Sequence, residues 1–211
     1  MRRVQDSEPI IDTEQKILEA AKREFVTKGF TGARTTSIAE AAGVTHAMLH
    51  YYFRTKEKLF DRILSDTIGL LKNALFTPVE DISLPFDEMI KRIIERHLDF
   101  LADNPDLPRF FISEVYSNPD KVSSVISRIS AYAPIFLAAL QEKIDRAAAC
   151  GICRWVDVRM LMLDIASLNI FSFMAKPVID AVLGNLTENM SVFIERRKKE
   201  NYDTIMRKLM P

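Results

Sequence analysis

Apolar residues recur along most of the chain at intervals of three and four positions, which places them on one face of an α-helix. No stretch alternates apolar and polar residues in the way that a half-buried β-strand does. Glycine is scarce, with 6 residues, and most of the nine prolines fall between the periodic segments or at their ends. The pattern therefore predicts an all-α protein.

Helix ends in the first 64 residues are marked by side chains that accept hydrogen bonds from free amide groups and by glycines that suit the left-handed conformation. These residues divide the segment into four helices, of which the second and third are short. The predicted caps are Asp12, Thr36, Thr45 and Thr55, and the predicted helix-ending glycines are Gly29 and Gly43.

Beyond residue 64 the apolar pattern continues to predict helices. Residues 77–85 are predicted to form a loop, and the segment from Val156 to about Leu183 a long helix that is kinked at Pro177. The other predicted helical segments are Phe86–Asn104, one from Pro108 to Asn118, a short helix or turn over Val122–Ile129, Ala133–Ala149, and a final helix that Thr187 caps and that ends near Leu209.

The 211 residues are 48% apolar and 27% charged, which is ordinary for a globular protein and excludes disorder as the main state. With two cysteines, no disulfide framework is expected. The first 12 residues lack the apolar core of a signal peptide, and the longest uncharged run in the most apolar stretch, residues 165–175, is too short to span a bilayer. We therefore expect a cytoplasmic protein without a membrane segment.

Charge is distributed unevenly although the net charge of the chain is zero. Residues 22–62 contain eight Lys and Arg and four Asp and Glu, which gives this segment a net charge of +4. A basic segment attached to a more acidic remainder is typical of a protein with a polyanion as partner.

The same basic segment contains the sequence TTSIAEAAGVTHAMLHYYFR at residues 35–54. It predicts two short helices around a tight turn at Gly43, with Ala39 allowing their close approach and Val44 filling the space beneath. This is a helix-turn-helix arrangement, whose second helix lies in the major groove of DNA with its first residues on base edges.

A family resemblance extends this interpretation over Ile17 to Leu59. The segment resembles the DNA-binding domain of the tetracycline-repressor (TetR) family, and it lies within roughly the first third of the chain. The rest matches that family only in length and helical character. The shared positions are Ile17-Leu18, Ala20-Ala21, Phe25, Gly29-Phe30, Thr36, Ile38-Ala39, Ala42-Gly43-Val44, Leu49, Phe53, Lys56-Glu57 and Leu59.

The first residues of the third helix are the expected base-contacting positions. Thr45, His46 and Ala47 open this helix, although Thr45 has the alternative role of a cap alone. His46 and His50 are four residues apart on one face, where they suit contacts to a base or a phosphate. A metal pair is the alternative for the two histidines, but no third ligand is nearby. The family usually has Tyr at the position of His50, which affects the expected sequence preference.

Four further residues are expected near the DNA backbone. Tyr51 is predicted to lie nearer the bases and Tyr52 to contact a phosphate, with packing at the domain seam as the alternative for at least one of them. Thr36 and Lys56 stand at helix N-termini, where free amides and partial positive charge suit phosphate. The alternative for Lys56 is a solvated surface lysine.

The C-terminal part is rich in aromatic and methionine side chains with a few polar groups among them. Most of these residues are expected to form core, but such adaptable side chains also suit a pocket for an apolar ligand. The candidate effector-binding residues are Phe110, Phe111, Phe136, Met162, Asn169 and Phe173.

Three weaker features have ordinary explanations beside functional ones. Cys150 and Cys153 have a CxxC spacing that suits a redox sensor or two half-buried structural thiols. His97, placed on the polar shoulder of a helix, is structural or contacts a ligand. The basic run 196–199 is expected to be a solvated face of the last helix.

The resemblance implies an N-terminal three-helix helix-turn-helix domain over residues 10–60 and a C-terminal helical domain over residues 61–211 that binds an effector and forms dimers. The expected protein is a homodimeric repressor, paired through its last two helices, that a small apolar effector releases from a palindromic operator in double-stranded DNA. Alternatives are an effector-independent or thiol-responsive DNA-binding regulator, and a helical enzyme or lipid carrier. No residues suggest a catalytic group, and no cofactor or metal is implied.

Overall fold

A computed structural model describes residues 10–81, 83–117 and 119–211. Every regular element within these ranges is a helix, so the all-α prediction is confirmed. The helices are α1 (Ile10–Gly32), α2 (Thr35–Ala41), α3 (His46–Phe53), α4 (Lys56–Glu80), α5 (Phe86–Asp103), α6 (Leu107–Ser117), α7 (Pro119–Ala149), α8 (Val158–Met174), α9 (Lys176–Leu183) and α10 (Met190–Leu209).

Residues 17–64, here called the head, form one small core from α1, α2, α3 and the start of α4. The rings of Phe25, Phe30 and Phe60 meet at its centre, with centroids 4.9–6.0 Å apart. Burial of such rings contributes much of the stability of a small core, and their edge-to-face contacts fix its geometry. Because the core continues to Leu64, α4 belongs to the head as well as to the rest of the chain.

Most of the predicted helix ends in the head are present. Gly29 interrupts α1 with φ 69°, and the chain regains helical hydrogen bonding as far as Gly32. The hydroxyl oxygen of Thr45 accepts from the amide of Met48 at 3.2 Å, and that of Thr55 accepts from Lys58 at 3.2 Å. Both caps are therefore confirmed.

The other two predicted caps have different outcomes. Thr36 lies inside α2, whose cap position is Arg34 and which has no side-chain cap bond, so that prediction is wrong. Helix α1 already begins at Ile10, before the predicted cap at Asp12. The side chain of Asp12 lies outside the described residues.

Of two predicted breaks beyond the head, the loop at 77–85 is shorter than predicted and the break between residues 129 and 133 is absent. Helix α4 continues to Glu80 into the predicted loop, because Leu75 and Val79 still pack against the core around α5. Helix α7 joins the segments 122–129 and 133–149 and includes Pro134. Packing of Phe136, Leu140 and the residues that follow outweighs the hydrogen bond that this proline removes.

The long apolar segment after residue 156 is two helices instead of one kinked helix. Helices α8 and α9 meet at Ala175 with a bend of 75°, and Pro177 occupies the first turn of α9, where no amide donor is needed. Among the described residues no single helix is long and apolar enough to cross a membrane, and only this bent pair passes such a test together.

The start of the last helix also differs from the prediction. Asn189 caps α10 by accepting from the amide of Val192 at 3.1 Å. Thr187 instead lies buried and donates to the carboxylate of Asp180 at 2.6 Å, which ties the turn after α9 together.

Residues 65–211, here called the body, pack around the central helix α5. Ile90, Ile93, Ile94 and Leu98 of α5 are fully buried among aliphatic side chains of α4, α7, α8 and α10. Helix α6 lies at the edge of this core and packs against α1 of the head. Its Phe110 is 6% exposed and joins the core of the head, with its ring centroid 5.9 Å from that of Phe60. Helix α6 is therefore the main contact of the body with the head beside α4.

Candidate DNA-binding surface and ligand cavity

Helix α3 turns one face to the head core and leaves the other open. Leu49 and Phe53 are buried, so the helix is fixed by the residues that the apolar pattern predicted. The residues predicted to meet DNA bases lie on the open side. Thr45, His46, Ala47, His50 and Tyr51 are all exposed.

Local hydrogen bonds hold the two histidines of α3 in place. The Nε2 atom of His46 lies 2.9 Å from the hydroxyl of Thr35 on α2. The Nδ1 atom of His50 donates to the carbonyl of Arg54 at 2.8 Å, and the two rings stand at 87° with centroids 4.4 Å apart. The described residues contain no group of three or more His, Cys, Asp or Glu that fits a metal ion. The pair therefore forms a fixed polar ridge on the open face of α3.

The two tyrosines at the end of α3 differ in exposure. Tyr51 is 81% exposed, so its hydroxyl is accessible to a partner. Tyr52 is half-buried and packs against the core of the head beside Phe53, with ring centroids 6.4 Å apart. Packing at the edge of the core therefore fixes the ring of Tyr52.

The two residues expected at helix N-termini flank α3. Thr36 is exposed in the first turn of α2. Lys56 begins α4, where its Nζ atom donates to the carbonyl of Thr31 at 3.3 Å and lies 4.7 Å above the ring of Phe30. Lys56 therefore places a positive charge beside α3 and also links α4 to the end of α1.

A cavity of about 240 Å³ lies in the body next to the head, between α4, α5, α6, α7 and α8. Its wall is almost entirely aliphatic and aromatic, and Thr67 and His97 are the two polar residues in it. None of the described residues that line it is charged. Apolar walls with a few polar groups are typical of small-molecule sites. The lining residues are Leu64, Thr67, Ile68, Leu71, His97, Phe100, Leu101, Leu107, Pro108, Phe110, Phe111, Ile112, Ile129 and Ile170.

The candidate effector residues are not all at this cavity. Phe110 and Phe111 line it, and Asn169 lies behind its wall in contact with His97. Phe136, Met162 and Phe173 pack in or against the core of the body and are absent from the cavity wall.

The environment of His97 differs from the expected polar shoulder of α5, so that placement is wrong. The side chain is only 6% exposed, and Nδ1 lies 3.2 Å from the amide nitrogen of Asn169. Burial lowers the pKa of His97 from 6.5 to about 4, because the charged form is disfavoured away from water. The spacing of His97 from the buried Ile93, Ile94 and Leu101 was the signal that sequence reasoning missed.

The thiol pair offers little support for redox chemistry. Cys150 is exposed and Cys153 is buried, and both are free thiols. Burial raises the pKa of the Cys153 thiol, which reduces its thiolate fraction and its reactivity.

The basic run of α10 is not uniformly solvated, so that prediction is only partly right. Lys198 pairs with Asp99 at 2.6 Å and with Glu195 at 2.7 Å. Arg197 donates to the carbonyl of Leu168 at 3.1 Å. These contacts attach α10 to its neighbours.

Comparison with protein families agrees with both parts of this arrangement. Residues 17–63 match the family described as bacterial regulatory proteins of the TetR family. Residues 87–205, more than half of the chain, match the tetracyclin repressor-like C-terminal domain. This chain belongs to the TetR family. Its curated relatives are named as transcriptional regulators, not as enzymes.

Individual relatives are distant. The regulator RutR of Escherichia coli K12 is 36% identical over 99 residues, which are 47% of this chain and 46% of RutR. The chain spans about half the length of most curated relatives that it matches.

Solved TetR-type structures share the fold over most of the chain. The regulator PfmR of Thermus thermophilus has a TM-score of 0.67 and 21% identity, covering 90% of this chain and 97% of PfmR. AibR, solved with isovaleryl coenzyme A and operator DNA, has a TM-score of 0.60 and 20% identity, covering 76% of this chain and 85% of AibR.

Proposed function

We propose that this chain is a transcriptional repressor that binds a palindromic DNA operator through α3 and is released from it by a small apolar effector. The exposed face of α3 supports the DNA contact, because its polar side chains stand on a helix that is fixed by the buried Leu49 and Phe53. The net charge of +4 over residues 22–62 supplies the attraction to phosphates. We place the protein in the cytoplasm because the DNA that it binds lies there.

The observation that carries the ligand response is the position of Phe110. Its ring lines the cavity of the body and also lies in the core of the head. A ligand that changes the packing of this ring acts on both parts at once. A ligand that prefers one of two arrangements 100-fold shifts their equilibrium by about 2.7 kcal/mol.

Glu114, one turn after Phe110 on α6, makes a second contact between the body and the head. The carboxylate is buried, and its Oε1 atom accepts from the backbone amide of Phe30 at 2.9 Å. The same oxygen lies 2.9 Å from where a Cβ of Gly29 would stand, so glycine permits this close approach. In this proposal a displacement of α6 by the effector moves the end of α1 and therefore the orientation of α3.

The partner that completes an operator complex is a second copy of this chain. Helices α8 and α9 expose large apolar side chains, and Phe171 is 64% exposed. An exposed apolar surface of this kind indicates a protein interface. In α8 the exposed residues recur at helical spacing, which suits an interface between paired helices. They are Met160, Leu163, Phe171 and Met174, followed by Val178, Val182 and Leu183 in α9.

DNA binding is tested by fluorescence anisotropy of the full chain with the DNA that flanks its own gene, at two salt concentrations. We expect selective binding over scrambled DNA at the higher salt, and a weaker complex for His46→Ala and Tyr51→Ala. Lys56→Met retains the apolar stem over Phe30 but removes the charge. We therefore expect the slope of log affinity against log salt concentration to decrease by about the amount that one phosphate contact contributes.

The matched control for Lys56 is Lys199→Met, which removes an exposed charge on α10. Equal losses of DNA affinity for the two lysine variants would contradict the assignment of α3 and its surroundings as the DNA-binding surface.

A further inference from the structure

Three polar side chains form a chain of hydrogen bonds through the apolar core of the body. The amide nitrogen of Asn201 on α10 donates to Oδ1 of Asn169 on α8 at 2.7 Å. The amide nitrogen of Asn169 donates to the carbonyl of Ile94 at 3.2 Å and lies 3.2 Å from Nδ1 of His97. All three side chains are buried.

This chain of bonds fixes the proton of the imidazole. The orientation of the Asn169 amide is set because its oxygen accepts from Asn201 and its nitrogen donates to Ile94. The nitrogen of an amide does not accept a hydrogen bond, so Nδ1 of His97 must be the acceptor and carries no proton. The neutral ring therefore carries its proton on Nε2, which makes no hydrogen bond within the described residues.

The wall of the cavity is otherwise poor in polar groups. His97 and the hydroxyl of Thr67 are the polar groups that its described residues offer. A carboxylate, phosphate or ammonium placed inside the cavity beside the buried His97 would lose hydration without meeting an opposite charge from the described residues that line it. The volume of about 240 Å³ is below the ~300–1,000 Å³ that is typical of sites for drug-sized molecules.

We infer that the cavity binds a small uncharged molecule, largely apolar and with one hydrogen-bond acceptor such as a carbonyl oxygen, to which Nε2–H of His97 donates. This inference rests on the proposed effector site and names the ligand class and the contact that selects it. Asn169 and Asn201 are positioning residues, because they act on the ligand through the imidazole.

The experiment uses calorimetry on the full chain at pH 7 without DNA. The probes are 2-heptanone, heptanoate and heptylamine, which have similar apolar lengths but a neutral, an anionic and a cationic end. We expect the ketone to bind about tenfold or more tightly than either ion, because only the ketone avoids burying a charge. Preferential binding of heptanoate or heptylamine, or no binding of the ketone, would overturn the inference.

Variants test whether His97, and not another residue of the cavity wall, donates to the ketone. His97→Phe retains a ring but removes the donor, so ketone affinity should fall by about tenfold. His97→Gln supplies an amide donor and still accepts from Asn169, so it should restore most of the affinity. A loss with Thr67→Val and none with His97→Phe would overturn the assignment of the donor. Circular dichroism checks the fold of each variant.

A second readout comes from labelling the chain with ¹⁵N-histidine, since it has three histidines. The His97 signals, assigned by their loss in His97→Gln, should report a proton on Nε2 that shifts when 2-heptanone binds. A proton on Nδ1 would overturn the inference. Ketone binding at His97 that leaves the anisotropy of bound DNA unchanged would support the inference while refuting the proposed ligand response.

Discussion

The head and the body bury their apolar residues in different ways. The head has a closed core in which the rings of Phe25, Phe30 and Phe60 contact one another directly. The body has a larger aliphatic core, an internal row of polar side chains and a cavity at the side that faces the head. We therefore expect the head to respond to a ligand as one unit and the body to adjust its packing around that ligand. Phe110 and Leu64 belong to both, since each is buried in the core of the head and lines the cavity.

The largest effect is expected from opening the closed core. Phe60→Ala removes a ring that touches Phe25, Phe30 and Phe110, so the free energy of unfolding should fall by about 3–5 kcal/mol. Urea denaturation measures this change. Tyr116→Ala, which truncates an exposed ring on α6, is the matched control and should change stability little. Similar losses for both variants would contradict the closed core.

The buried imidazole of the body predicts a pH dependence of nearly the same size. Burial lowers the pKa of His97 from 6.5 to about 4, so between these values the unfolded chain binds a proton that the folded chain does not. The free energy of unfolding should therefore decrease as pH falls from about 6.5 to about 4, by about 3 kcal/mol in all. Urea denaturation at several pH values compares the wild-type chain with His97→Gln. An equal decrease in both would refute the assignment to His97.

The contact between the two regions should have a smaller effect on stability. Glu114→Ala leaves the buried amide of Phe30 without this acceptor, which should cost about 1–3 kcal/mol. Glu114→Gln retains an acceptor oxygen and should cost less. Anisotropy with operator DNA should also show a weaker response to the effector in Glu114→Ala. An unchanged response would exclude this contact from the coupling.

The smallest effects distinguish the true cap from the mispredicted one. Thr45→Ala removes the acceptor for the amide of Met48 and should cost about 1 kcal/mol. Thr36→Ala, a substitution of the same chemistry inside α2, should cost clearly less. Thermal unfolding of the two variants provides the measurement. A larger loss for Thr36→Ala would restore the cap that the sequence indicated.

The predicted and observed helix ends show how far the local sequence determines the fold. Thr45 and Thr55 cap helices through bonds to residues three positions away, so their role was visible in the sequence. The bend at Ala175 and the continuous α7 through Pro134 depend on packing against other helices, which local patterns do not contain. The sequence therefore predicted a break between residues 129 and 133 that is absent, and it placed the bend at Pro177, two residues after Ala175.

The candidate site also has residues that the sequence predicted and residues that it did not. The exposed positions of α3 followed from the spacing of Leu49 and Phe53, and the resemblance supplied their roles. The cavity was only partly foreseen, since Phe136, Met162 and Phe173 had the right composition but lie in the core. The burial of His97 follows from its spacing on α5, but its partner Asn169 is 72 residues away and could not be predicted. Contacts between residues so far apart in the sequence form only once the body has folded.

The central claim, that the head binds specific DNA, is tested most directly by selection of genomic fragments. The purified chain is mixed with sheared genomic DNA, and the retained fragments are sequenced. We expect enrichment of an inverted repeat whose half-sites are roughly 34–36 Å apart, or a multiple of that distance, and loss of this enrichment in the double variant His46→Ala and Tyr51→Ala. Retained fragments with the same composition as the input would contradict the claim.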